Sequence, residues 1–568
     1  MAKQAGMIAR IGSWLRGPLG RWGRAALVLA ILTAPWVLFF NPVAPFANGH
    51  IPRDPVRIYR VYSDDFAFVS ASRDFSRTVG NLFSPHNTHI VPAWRVLTWF
   101  LAACAGSLER VPDVLAVASY AILAATMMLM GRLTARETGR EDVGAAAAVA
   151  TGTTSLMLAP ATWYAAGQPL WASFAALAAL WYAQSWRRSQ ARPALALCAA
   201  STACAGWFWT IGHLAGPSAA LYLWLDGRRS CRRAAAVPIA ATVFAVGLSL
   251  ILGAGKVDSR VSFHGRTAAE AAQPVEGFFH TMQAIPESLV LGNLGLAAET
   301  TAGQGTVLTL GLFAAWALGR LRQGGLGAFN PIEIAGAAFL GGSYLVEWTV
   351  RGYLDYKYLR TINVDMIVPW YHVAPQVGAV LFVVGWWSGP RTPESRRLPM
   401  LPPAGLTRGA SLGVLAFAAV LVALNRPRVE DLWINSAPAM APSEARRFPI
   451  PELQRMRAGA MMLEQAEHQR GHLRRFDLAE KAAKSMGIGL DAVHAAFGRV
   501  DAPLLPDAYD AAELLDLPAK GRPTDPARVR QALGPYLILT PPPRPAWYEP
   551  TDPWPPPKPK KAEEPARK

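Results

Sequence analysis

Long runs almost free of charge recur along this 568-residue chain, each close to the roughly 20 residues that an α-helix needs to cross a bilayer. In hydrocarbon every backbone N–H and C=O must find its partner inside the protein, so such runs fold as helices. They fall near 25–44, 111–131, 143–161, 167–186, 194–209, 213–226, 234–254, 306–320, 331–349, 367–388 and 409–425. Hydrophobic residues make up 52% of the chain, a share that suits a lipid-embedded protein. The expected fold class is an all-α polytopic membrane protein with about eleven transmembrane helices, outer-face loops and a small C-terminal extramembrane region.

A net charge of +17 could point to nucleic acid, but its distribution argues against that. Arginines gather at Arg10/Arg16/Arg21/Arg24, Arg132/Arg136/Arg140, Arg187/Arg188/Arg192, Arg228/Arg229/Arg232/Arg233, Arg320/Arg322 and Arg391/Arg396/Arg397, after alternate spans. That is the positive-inside pattern, and it places the N-terminus in the cytoplasm and the C-terminal region outside. Residues 90–108 are also apolar, but counting them as a span would put every later arginine cluster outside. They are therefore expected to lie along the outer interface, with Arg95, Trp94 and Trp99 suited to that position. No small-residue cleavage site follows the first span, which reads as a retained anchor. Cys104, Cys198, Cys204 and Cys231 show neither disulfide nor zinc spacing.

Residues 1–24 form a basic cytoplasmic tail and 25–425 the membrane domain, with outer loops 45–110, 255–305 and 350–366. Residues 426–539 read as a mainly helical extracytoplasmic region. The Pro- and Lys-rich tail 540–568 cannot bury enough apolar area to offset its ordering entropy.

Ionisable groups beside a membrane are costly to keep, which makes them candidates for function. The first outer loop contains Tyr62-Ser63-Asp64-Asp65-Phe66 and Ser84-Pro85-His86-Asn87-Thr88-His89. In an extended segment Asp64 and Asp65 point to opposite sides, so only one can face a cavity. The functional reading is a carboxylate base that takes a proton from an acceptor hydroxyl; the plain one is a helix cap or a solvated turn. His86 and His89 have a spacing that suits a divalent metal, but no third ligand is near, and binding of sugar or phosphate fits better. No cofactor is called for. Lys256, Arg260, Arg266, Arg351, Lys357 and Arg360 are cations on the side that positive-inside logic disfavours. A lipid-linked phosphate would explain them, and so would anionic headgroups. Arg260, Arg351, Lys357 and Arg360 are the candidate phosphate ligands. His213, Tyr371 and His372 lie at the outer ends of spans as candidate cavity residues, or as ordinary satisfied polar groups. No Walker loop, dinucleotide fingerprint or catalytic Ser or Cys constellation occurs. A transferase with its acids outside would therefore need a donor present there, and a lipid-linked sugar meets that need.

With Asp64-Asp65 in the first outer loop, His89-Ile90-Val91-Pro92-Ala93-Trp94-Arg95 opening an interfacial helix and Val111-Pro112-Asp113 leading into a span that ends at Arg132-Leu133, the chain resembles the GT-C superfamily of polytopic glycosyltransferases. The branches it is most similar to are the protein O-mannosyltransferases and bacterial lipid-A sugar transferases. The hairpin from Gly206-Trp207 to Leu225-Asp226-Gly227-Arg228-Arg229, and Tyr371-His372-Val373-Ala374-Pro375 entering a late span, add to the likeness. It covers about residues 25–425 and is one of layout more than motif. Where some relatives carry a Lys-Glu pair, this chain has Gly212-His213. The resemblance implies an inverting transfer from a polyprenyl-phosphate sugar to a hydroxyl on a lipid, glycan or protein acceptor. Asp64 would be the base and Asp65 a supporting group, the two being close to interchangeable. Membrane lipids are expected partners and nucleic acid is not. Composition rich in Ala, Arg and Gly suggests a bacterial cytoplasmic membrane. Two other classes stay open. A transporter or flippase of lipid-linked sugars would usually show paired repeats with helices broken at the midplane, and a non-catalytic scaffold would present 426–568.

Overall fold

The computed structural model describes residues 12–40, 68–69, 71–72, 74–86, 89–106, 110–253, 302–351, 369–389 and 405–435, with single positions between 282 and 293. The described residues belong to the unit Met1–Ser436; residues 437–568, which hold the tail and most of the extracytoplasmic region expected from sequence, lie outside them. Among the described residues the structure is helical. In order come α1 (Arg21–Phe39), α2 (Phe75–Asn81), α3 (Pro92–Ala105), α4 (Val111–Thr138), α5 (Glu141–Gly152), α6 (Leu158–Thr162), α7 (Gln168–Ser189) and α8 (Arg192–Phe208). Then follow α9 (Ala215–Trp224), α10 (Arg229–Ala234), α11 (Ala236–Gly253), α12 (Ala302–Gly324), α13 (Pro331–Arg351), α14 (Val373–Trp387) and α15 (Arg408–Asn435).

Local chemistry explains the boundaries. Asp74 caps α2 by accepting the Arg77 N–H at 2.8 Å. Helices α3, α4, α7 and α8 carry Pro in the first turn, where its missing N–H is no loss. Among the described residues four helices are long and apolar enough to cross a membrane: Arg21–Phe39, Asp113–Thr138, Arg229–Gly253 and Arg408–Val429. A fifth is the pair Glu141–Gly152 and Ser155–Thr162 taken together, bent by 58°. Helix α3 has only 14 residues, about 21 Å at 1.5 Å per residue.

Two segments differ from their sequence expectations. Residues 143–161, expected as one span, break at Thr153–Thr154, both out of helical geometry. The N–H groups freed by the break are taken up internally: Thr154 accepts from Leu156, and the Asn425 Oδ1 accepts the Ser155 N–H at 3.0 Å. The last helix runs past residue 425 to Asn435. There Arg426 donates to the carbonyls of Val37, Leu38 and Phe40, which end α1.

The polar ties between helices fall into two groups, at opposite ends of the helices. At one end lie the arginines. Arg187 of α7 is 4% exposed and pairs with Glu137 of α4 at 3.0 Å and with Asp226 after α9. Tyr222 donates to Glu137 at 2.7 Å, Gln184 donates to it at 2.9 Å, and Arg228 reaches Asp226. A second buried pair joins Arg320 of α12 to Glu333 of α13 at 2.9 Å, while Arg320 also donates to the Trp386 carbonyl that ends α14. Helices α13 and α14 touch backbone to backbone, because a Cβ on Gly378 would lie 2.6 Å from the Leu340 nitrogen. Packing of this kind replaces the hydrophobic drive that helices lack in lipid.

Replacing Arg187 with Met would leave Glu137 and Asp226 buried without their shared cation. Unfolding in detergent micelles, followed by circular dichroism, is expected to show a loss of about 3 kcal/mol or more. The exposed Arg192→Met change should stay within about 0.5 kcal/mol of wild type.

Candidate functional site

The opposite end of the bundle gathers the polar and aromatic groups. The backbone of His86 and His89 closes on itself through paired hydrogen bonds of 2.8 and 2.9 Å. Two residues beyond Ile90, Pro92 opens α3. This bracket turns the two imidazoles in different directions. His86 is half-buried, with its ring 4.2 Å from that of Phe68. His89 is buried, and its Nδ1 lies 2.8 Å from the Thr210 hydroxyl, across 121 residues of sequence.

Thr210 opens the 3-10 turn Thr210–Leu214 that joins α8 to α9. The turn folds tightly back on α8. A Cβ on Gly212 would run into the Ala205 carbonyl, and one on Gly206 into the His213 ring. His213, half-buried, is thus held flat against the α8 backbone, and the Thr242 hydroxyl faces its carbonyl at 3.4 Å. Because Thr242 and Ala245 sit well inside α11, the hairpin apex falls short of the α11 end. Gly253 itself meets Ile90 instead.

Trp209 links the first loop to the late helices. Its ring lies 6.2 Å from His89 and stacks on Tyr371 at 5.8 Å. Trp209 and Tyr371 are each 3% exposed, so they form a wall and not an open stacking platform. His372 is fully buried, with its Nδ1 2.8 Å from the Tyr344 hydroxyl of α13. Its buried Nε2 has no hydrogen-bond partner among the described residues. Trp94 and Tyr164 stack at 4.2 Å, and Tyr164 shares a 2.8 Å hydrogen bond with Thr98.

Of the residues singled out from sequence, His89, His213, Tyr371 and His372 come to this end together, and His86 flanks them. Arg351 is the last residue of α13. Asp64, Asp65, Arg260, Lys357 and Arg360, like Lys256 and Arg266, lie outside the described residues. Among the described residues no group of three or more His, Cys, Asp or Glu is arranged to hold a metal ion.

Sequence reasoning passed over a buried amide chain beside the broken helix. Gln376 of α14 donates to the Ala150 carbonyl at 2.9 Å and exchanges hydrogen bonds with Asn293 at 2.6 and 3.1 Å. Asn425 donates to the Asn293 carbonyl at 3.0 Å while accepting from Ser155. The signal was present: Gln376 and Asn425 are lone amides in apolar runs, and a lone amide in lipid needs an internal partner. Nearby, an apolar cavity of about 240 Å³ is lined by Leu289, Phe313, Trp316, Leu340 and Phe382.

Gly212→Ala should destabilise the hairpin by about 1–3 kcal/mol, since the colliding atom is backbone and cannot step aside. Gly247→Ala in α11, where a Cβ meets nothing within 4 Å, should leave thermal unfolding in detergent unchanged or slightly raised. No family model, curated protein or solved structure matches this chain.

Proposed function

We propose that this protein is a membrane glycosyltransferase that moves a sugar from a polyprenyl-phosphate donor to an acceptor hydroxyl on the extracytoplasmic face. One observation carries the reading: His89, His213 and the neighbouring pair Tyr371–His372, from three distant stretches of chain, meet at the end opposite the arginines. Arginine-rich ends face the cytoplasm by the positive-inside rule, so the polar cluster faces outward. The topology that goes with it has eleven crossings: α1, α4, the broken α5–α6 pair, α7, α8, α9, α10–α11, α12, α13, α14 and α15. The N-terminus is cytoplasmic, and the setting is a bacterial cytoplasmic membrane.

In this mechanism the acceptor oxygen attacks the anomeric carbon from the face opposite the phosphate. The bond from the anomeric carbon to the phosphate oxygen breaks, and polyprenyl phosphate leaves with the electron pair. The acceptor proton passes to Asp64 or Asp65, which must come within hydrogen-bond reach of it. Arg260, Arg351, Lys357 and Arg360 stabilise charge building on the leaving phosphate. The apolar cavity between α12, α13 and α14 suits part of a prenyl tail. His372 supplies a buried nitrogen near the acceptor, and Trp209 and Tyr371 wall off water.

A second reading, a transporter or flippase of lipid-linked sugars, draws on the 58° break in α5–α6, since broken helices often mark transport sites. Against it, the break is tied by Asn425 and Gln376, which leaves fewer backbone groups for a passing substrate.

The test is transfer of radiolabelled sugar from polyprenyl-phosphate donors in isolated membranes. The wild-type protein should transfer, and the Asp64→Asn/Asp65→Asn variant should lose at least about a hundredfold, the scale of general-base catalysis. Equal transfer by both would remove the acidic pair from the mechanism. Movement of intact donor across the bilayer without transfer would favour the flippase.

A further inference from the structure

A second feature lies at the arginine end, away from the histidines. A groove of about 510 Å³ runs between α1, α4, α5 and α7. Along the helices its lining is apolar at Val28, Ile31, Met127, Met128 and Ala148, and toward the helix ends it carries Arg24, Arg132, Arg136 and Glu141.

The order of residues along the helices sets up this gradient. Met128, Arg132 and Arg136 follow at intervals of four on α4, and Arg24 and Val28 do the same on α1, so each set shares one face. On both helices that face changes from cationic to apolar within one or two turns of the helix end. Arg132 is exposed and pairs with no carboxylate among the described residues. Arg136 lies 3.9 Å over the Trp181 ring, which holds its guanidinium plane in place. Arg24 reaches Glu141 at 3.7 Å, with both side chains partly in solvent. Three cations against one carboxylate leave the rim with two excess positive charges.

We propose that this groove holds an anionic glycerophospholipid of the surrounding bilayer. Its phosphodiester sits against Arg132 and Arg136, and one acyl chain lies between α1 and α4. A guanidinium presents two parallel donors to a phosphate, and basic sites between helices on the cytoplasmic side suit anionic headgroups. Charge complementarity and the change to apolar lining at acyl depth together select a lipid over a second copy of this chain, which would have no use for cations on one rim only.

The experiment follows thermal unfolding of the full chain in dodecyl maltoside as phosphatidylglycerol or phosphatidylcholine is added, with native mass spectrometry of retained lipid. Phosphatidylglycerol should raise the midpoint more than phosphatidylcholine and remain bound as a discrete adduct. Arg132→Gln/Arg136→Gln should weaken the response about tenfold. Val28→Trp fills the groove while sparing the arginines, and should weaken it too; it carries the test if the double variant fails to fold. Arg192→Gln/Arg233→Gln removes two exposed cations elsewhere and should respond as wild type. Equal responses to the two lipids would overturn the proposal, as would a wild-type response from Val28→Trp. An equal loss in the Arg192/Arg233 control would reduce the effect to general headgroup attraction, and a protein dimer in place of a lipid adduct would assign the groove to a second copy.

Discussion

Burying a guanidinium among packed helices is tolerable only when carboxylates and other acceptors are buried with it. Arg187 uses Nε and Nη1 on Glu137, Asp226 and Tyr222, which come from two distant parts of the chain, α4 and the end of α9. Removing any one partner leaves the others desolvated and unbalanced, so the network acts as a unit. It ties α4, α7 and the α9–α10 turn to a single register at the arginine end. The Arg320–Glu333 pair does the same for α12, α13 and α14. With little hydrophobic drive between helices in lipid, these polar ties and the glycine contacts set which helices are neighbours.

The far end depends on that register. His89 can reach Thr210, and Trp209 can stack on Tyr371, only if α3, the α8–α9 hairpin and α14 converge at one depth. The amide chain of Gln376, Asn293 and Asn425 secures the same end from the other side and accommodates the broken α5–α6 pair. The two ends therefore have different chemistry for one reason. The buried carboxylate–guanidinium pairs gather at the arginine end, while imidazoles, phenols and amides, which cost less to bury, line most of the opposite end, where Arg95 and Arg426 are held by backbone carbonyls.

Much of the fold was legible in the chain. The helix positions, α3 included, followed from apolar runs. The break at Thr153–Thr154 was not legible, because Thr-Gly-Thr-Thr-Ser is apolar enough to continue a span and only partners on α14 and α15 make the bend affordable. Arg187 was counted as a topology marker beside Arg188 and Arg192. Composition cannot separate a solvated arginine from a buried one, since both satisfy the same charge bias.

Sequence by itself determined that this chain is helical and membrane-associated, and which loops carry polar groups, since transfer of charge and backbone into hydrocarbon is governed by local composition. It also marked His86, His89, His213, Tyr371 and His372 as candidates. Tertiary structure decided which of them meet, that Tyr371 is a wall with Trp209, and that His372 pairs with Tyr344. Those outcomes rest on contacts between residues far apart in the chain, and a hydrogen bond of 2.8 Å across 121 residues leaves no trace in local periodicity.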